Sequence, residues 1–285
     1  MMTSDFFCTG ILQGLILALV AFGVMIPFRL LNFPDLTAEG GYPLGGAVCT
    51  SLLVLHVHAI VALFAACIVT GLMGICTGLV HLRFQVNTLL AGIILSTMAY
   101  SVNLRLLGAP NIALFNMSSL FSQTDLMMNI MLLASVLMIL MGLLILFLHT
   151  AFGLKLRAVG LNQAFADRYG ISVAKYTLVG LFLAGCFTGM AGGFIVQLQH
   201  YMDVGMGVGI VIHALAALML GEALIGNNTV SRQVLAPGVG ALVYQQIQGT
   251  ILLLGLAPSD LKFFTASLVL IVIATKHHTK QVKRT

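Results

Sequence analysis

Apolar residues arrive along this chain in long unbroken runs. They show neither the alternation of a half-buried strand nor the polar stripe of a surface helix. The runs fall at about residues 6–28, 42–55, 59–80, 88–106, 126–148, 177–198, 204–221, 233–254 and 261–275. A bilayer core takes about 20 apolar residues per helix, and continuous rather than alternating apolarity points to helices over barrel strands. The pattern predicts an all-α, polytopic membrane helical bundle of about nine transmembrane segments. The bounds are eight and ten, because the run at 42–55 is short and reads as a broken or re-entrant helix.

Composition supports the same class. Sixty per cent of the 285 residues are hydrophobic and 7% are charged, against about 25% charged in a soluble domain. The longest polar link, His149 to Tyr176, is too short for a core of its own. Residues 1–285 are therefore expected to form a single membrane-embedded domain.

Charge adds an orientation. The net charge of +5 does not sit on one basic face, which argues against nucleic acid. Placing the C-terminal tail in the cytoplasm and counting back through nine crossings puts eleven Lys and Arg inside. Arg105 and Lys262 alone fall outside. That bias predicts an outer N-terminus and an inner C-terminus. The start, Met1 to Asp5, lacks the positive region of a cleavable signal, so the first span is expected to stay in the mature protein.

The search for chemistry returns mostly exclusions. No Gly-Lys pair exists, so there is no phosphate-binding loop, and neither His-Glu-x-x-His nor Gly-x-Ser-x-Gly appears. No catalytic residue, resident metal or cofactor is expected. The five cysteines have no ligand spacing and read as small hydrophobes. His56 and His58 mark a helix end, and His213 reads as a helix-to-helix hydrogen bond.

Three stretches stand out. Leu31-Asn32-Phe33-Pro34-Asp35-Leu36-Thr37-Ala38-Glu39-Gly40-Gly41 runs on through Pro43, Gly45 and Gly46. Pro34 and Pro43 forbid one continuous helix, and Asp35 and Glu39 are costly at membrane depth unless they face protein, water or a loop. An interrupted helix lining a transport path and an ordinary loop both fit these residues. A shorter echo, Pro237-Gly238-Val239-Gly240-Ala241, again sets Gly-Ala three residues after Pro and hints at a second interruption. The link from His149 to Tyr176 contains Asn162, which can cap a short helix over Gln163–Tyr169, with Gly170 as its left-handed stop. Such a helix is either a docking element or a plain connector.

Two of these stretches resemble the permease subunit of bacterial ABC importers of the branched-chain amino acid/ribose type. The Leu31–Gly46 stretch is most similar to the branch of tryptophan/tyrosine-type permeases. The stretch Arg157-Ala158-Val159-Gly160, Asn162 and Gly170-Ile171 is similar to the family's ATPase-docking loop, although Gln163 stands where many members have Pro. The resemblance implies a coupling loop at about 149–176 carried by Arg157, Gly160, Asn162, Gln163, Phe165, Ala166 and Gly170, with Phe165 and Ala166 packing into the ATPase. It implies a translocation pathway near Asn32, Pro34, Asp35, Glu39, Gly41, Gly45, Gly46, Pro237 and Gly240. It further implies a second copy of the chain, two cytosolic ATPases holding ATP and Mg, and a periplasmic or lipoprotein solute-binding protein. The setting is the bacterial inner membrane, and the solute is amino acid-like and of aromatic type. The alternative is an ion-coupled secondary transporter, for which Asp35, Glu39 and Glu222 are the available carboxylates.

Overall fold

The computed structural model describes residues 2–115, 117–121, 125–253 and 267. Apart from Ser267, the predicted ninth run at 261–275 and the basic tail lie outside the described residues. Among the described residues ten helices follow in order: α1 (Met2–Met25), α2 (Thr37–Val54), α3 (Ala59–Phe84), α4 (Thr88–Leu107), α5 (Leu126–His149), α6 (Ala151–Leu161), α7 (Gln163–Arg168), α8 (Val173–Gln199), α9 (Ile210–Ile225) and α10 (Val230–Leu253). A π-helical turn, Ile26–Leu30, extends α1. Strands β1 (Asn111–Ala113) and β2 (Tyr201–Asp203) pair antiparallel. Six of the described stretches have the length and apolarity to cross a membrane: Phe6–Leu30, Ala59–Phe84, Thr88–Leu107, Leu126–His149, Val173–Gln199 and Val204–Ile225. The chain is a polytopic helical membrane protein.

Two compact units share the chain. One comprises 22–123 and 146–211; the other comprises 1–21, 124–145 and 212–285. In the first, α8 runs against both α2 and α3. At three points along these crossings backbone meets backbone directly. A methyl on Gly45 would overlap the Gly189 backbone, one on Gly74 the Leu181 carbonyl, and one on Gly192 the Tyr42 carbonyl. Lipid removes the hydrophobic drive between helices, so small residues that let backbones touch supply the attraction instead. In the second unit α9 and α10 use the same device. A methyl on Gly240 would overlap the Ala217 carbonyl, and one on Gly221 the Ala236 carbonyl.

The expectation that Pro43 and Pro237 interrupt their helices is corrected here. α2 is continuous through Pro43 and α10 through Pro237. A proline removes one N–H and crowds the carbonyl four residues back, a local loss that close neighbours make tolerable in a membrane helix. In α2 that carbonyl belongs to Glu39, and the Gly207 backbone packs directly onto it. The actual break lies upstream, between Leu30 and Thr37. Asn32 turns the chain there with φ 51°, a left-handed conformation that asparagine tolerates. Leu31, Phe33 and Asp35 are buried while Asn32 and Pro34 are exposed, so the break is pinned on alternate residues.

Candidate functional site

The link from His149 to Tyr176 folds into a helical hairpin. Thr150 starts α6 by accepting from the Gly153 N–H at 3.2 Å and donating to the Phe147 carbonyl at 2.6 Å. Asn162 ends α6 and starts α7, its Oδ1 accepting from the Phe165 N–H at 2.9 Å. Gly170 closes the hairpin with φ 72°. The predicted short helix over 163–169 is thus present as α7. α6 was not foreseen, because Lys155 and Arg157 make its sequence look like a loop.

The hairpin's inner side is fixed to its unit. Leu156 and Val159 are buried, the Phe152 and Tyr176 rings lie 4.6 Å apart, and an Arg157 guanidinium N–H donates to the Leu148 carbonyl at 3.4 Å. Gly160 rests against the backbone of Leu30 and Leu31, where a methyl group would overlap the Leu30 carbonyl. The hairpin therefore sits, backbone to backbone, on the start of the break before α2. Its outer side is open and carries large apolar side chains beside polar ones such as Asp167 and Arg168. Leu161 is 88% exposed, Phe165 53% and Tyr169 71%, and the last two rings stack at 4.4 Å. Phe165 and Tyr169 stand four residues apart on and just past α7 and so share a side, while Leu161 is exposed at the end of α6. Gln163 is exposed as well. Ala166 turns inward and is fully buried, so of the expected pair only Phe165 is presented outward.

Downstream of Gly160 the break is closed by Asp35. Its Oδ1 accepts from the Thr37 N–H at 2.8 Å and from the Thr37 hydroxyl. The Thr37 hydroxyl also meets that of Thr77 at 2.9 Å. Asp35 therefore ties the start of α2 to itself and, through Thr37, to α3. Burial pushes its carboxyl up to about 6, against the lowering pull of the two Thr37 bonds. Gly92 of α4 packs directly on this turn, where a methyl would lie 2.7 Å from both Asp35 Oδ1 and the Leu36 nitrogen.

The remaining pathway candidates divide. Gly41 and Gly45 face α8 and Gly46 meets Met206, Met202 and Val196. Glu39, half-buried, lines a cleft between α2 and α4. Pro237 and Gly240 belong to the other unit. There His213 Nδ1 and the Tyr244 hydroxyl lie 2.7 Å apart, the helix-to-helix bond expected of His213. Gln248 donates to the Tyr244 hydroxyl at 3.2 Å, and Gln245 to Gln13 at 2.7 Å. Sequence reasoning passed over these glutamines. It also passed over Gln197, buried in α8, whose side-chain oxygen accepts from the Leu120 N–H at 3.1 Å and whose nitrogen reaches the Ala59 carbonyl at 3.5 Å.

Long apolar helices, small-residue crossings, a polar break and an exposed hairpin define a polytopic transport protein in class. Residues 6–274 match the family described as the permease component of the branched-chain amino acid transport system, and the chain belongs to that family. It is 32% identical over 273 residues to the "Tyrosine transport system permease protein" of Clostridioides difficile, covering 96% of this chain and 92% of that one. It is 28% identical over 274 residues to an uncharacterised protein of Rickettsia prowazekii, covering 94% and 96%. Over 133 residues, 42% of each chain, it is 32% identical to the "Probable branched-chain amino acid transport permease protein LivH" of Methanocaldococcus jannaschii. No solved structure matches the chain.

Proposed function

We propose that this chain is the membrane subunit of an ATP-driven amino acid importer, working as a pair of copies with two separate ATPases and an extracytoplasmic solute-binding protein. The observation that carries this reading is the α6–α7 hairpin. Its outer side offers Leu161, Phe165 and Tyr169 to a partner, while its inner side rests through Gly160 on the Leu30–Leu31 backbone. An ATPase that grips the outer side moves a rigid lever. The lever bears on the segment 31–36 as its joint, and beyond that joint lies α2.

The topology in this reading has nine spans, an outer N-terminus and an inner C-terminus. α1 to α5 and α8 to α10 supply eight of them among the described residues. The setting is a bacterial inner membrane, with ATP and Mg bound on the ATPase. The solute is an amino acid of aromatic type, as the name of the Clostridioides difficile relative suggests. The candidate pathway runs beside the break and the first turns of α2, with Asp35 and Glu39 as its carboxylates.

Proteoliposomes holding this chain, its ATPase and its binding protein test the reading. Uptake of labelled tyrosine should require ATP and should stop when Phe165→Asp removes the ATPase from the complex. Uptake that persists without the ATPase and collapses with an ion gradient would instead mark a secondary transporter.

A further inference from the structure

We propose that the cleft beside Glu39 is a transit site for the ammonium end of the transported amino acid, an inference that rests on the permease reading above. The cleft has a volume of about 260 Å³ and lies within one unit, between α2, α4 and the turn at 204–208. Sites for drug-sized ligands run to about 300–1,000 Å³, so this one suits a single amino acid.

Its chemistry selects by sign. Glu39 is the only carboxylate among the lining residues, and no Lys, Arg or His joins it. It stands in the first turn of α2, where the helix dipole favours a negative charge. The hydroxyls nearby have given their protons away. Ser96 donates to the Leu36 and Gly92 carbonyls, at 3.0 and 2.8 Å, and Thr97 to those of Ile93 and Ile94, at 3.0 and 2.8 Å. Toward a ligand both present mainly oxygen lone pairs. Pro43 has no N–H to offer. Apart from the Tyr100 hydroxyl, the lining side chains thus offer acceptors and no free donors, the surface that an ammonium group needs and a carboxylate avoids. Ile93, Pro43, Val204 and the Tyr100 ring supply apolar walls for a side chain.

The polar track continues past the cleft. Ser96, Tyr100 and Asn103 follow at i, i+4 and i+7 along one side of α4. Asn103 is fully buried, and among the described residues neither its amide oxygen nor its nitrogen has a hydrogen-bond partner. A buried amide left unpaired is costly, and a passing polar group would relieve it.

Thiol labelling of Thr97→Cys in the reconstituted transporter tests the sign of the cleft. After subtraction of labelling in the parent protein, aminoethyl methanethiosulfonate should react about tenfold faster than its sulfonatoethyl analogue. Glu39→Gln in the same background should erase that preference, and L-tyrosine should slow the reaction. Equal rates with Glu39 present, or a preference that survives Glu39→Gln, would overturn the proposal. In the uptake assay Glu39→Gln should cut transport about tenfold while ATP hydrolysis continues, with Glu39→Asp recovering part. Full uptake by Glu39→Gln would also overturn it. If the wild-type assembly moves no amino acid at all, the permease reading fails, and the labelling still reports whether the cleft favours an ammonium.

Discussion

α2 and α10 each carry a proline inside an unbroken helix, with glycine three residues later, yet the chain leads into them differently. In α10 the glycine side is all packing: Gly240 meets the Ala217 carbonyl and Gly221 meets that of Ala236. The helix starts from a short turn in which the Arg232 N–H reaches the Thr229 hydroxyl at 3.3 Å and Gln233 donates to the Asn227 carbonyl at 3.0 Å. In α2 the same packing exists at Gly45, but the helix starts from a buried break closed by Asp35 and Thr37 and covered by backbone at Gly92 and Gly160. A glycine two or three residues after proline therefore marks a tight helix crossing in both places, Gly45 in α2 and Gly240 in α10. The break is written separately, in Asn32 and Asp35, and of these two helices only α2 has it.

The largest test of that difference acts on the joint. Gly160→Val should reduce ATP-driven uptake by about tenfold or more, because a side chain there must displace the Leu30 backbone. Arg232→Ala, at the plain start of α10, should leave uptake within about twofold. Equal loss of uptake in both variants would mean that the two helix starts are mechanically alike.

The second test uses protonation. Asp35 has its carboxyl pushed up to about 6 by burial, against an ordinary 3.8, so the folded state favours the neutral acid. Its contribution is fully present below about pH 4 and is lost as pH rises through about 6. Compared with Asp35→Asn, the wild type should gain stability on acidification from pH 7.5 to pH 4, by at most about 3 kcal/mol. Thermal melts in detergent across that range check it, and a pH-independent difference would refute it.

Packing gives the third test. Gly45→Ala and Gly240→Ala should each destabilise by about 1–3 kcal/mol, since both meet neighbouring backbone. Gly46→Ala should cost less, because it meets the flexible ends of Met206 and Met202. Smallest of all is Gly142→Ala in α5, where nothing lies within 4 Å of the added methyl. It should be neutral or stabilising by up to about 1 kcal/mol from helix propensity alone.

Legibility in the sequence followed the range of the forces involved. The runs expected at about 59 and 88 begin where α3 and α4 begin, and local caps fix both starts, His58 accepting from Ile60 at 3.4 Å and Asn87 from Leu89 at 2.9 Å. Asn162 and Gly170 marked α7 for the same reason. The continuity of α2 was missed because proline is judged by its own N–H, while the Gly207 backbone that packs on the Glu39 carbonyl lies far along the chain. The pairing of β1 with β2 was missed because three residues carry no alternation. Gln197 carried no signal, since its partners at Leu120 and Ala59 are remote in sequence. Glu39 was legible as a costly charge. The donor-poor cleft around it was not, because that character depends on where the Ser96 and Thr97 protons go.

Everything proposed for transport turns on the hairpin converting ATPase motion into movement at the break before α2. Tyrosine uptake and ATP hydrolysis, measured side by side, address that conversion most directly. The proteoliposomes would hold the wild type or Gly160→Val with the ATPase and binding protein. Gly160→Val should keep the ATPase bound and hydrolysing while uptake falls about tenfold or more. Uptake and hydrolysis that both stay at wild-type levels would show that the hairpin does not act through the Leu30–Leu31 backbone.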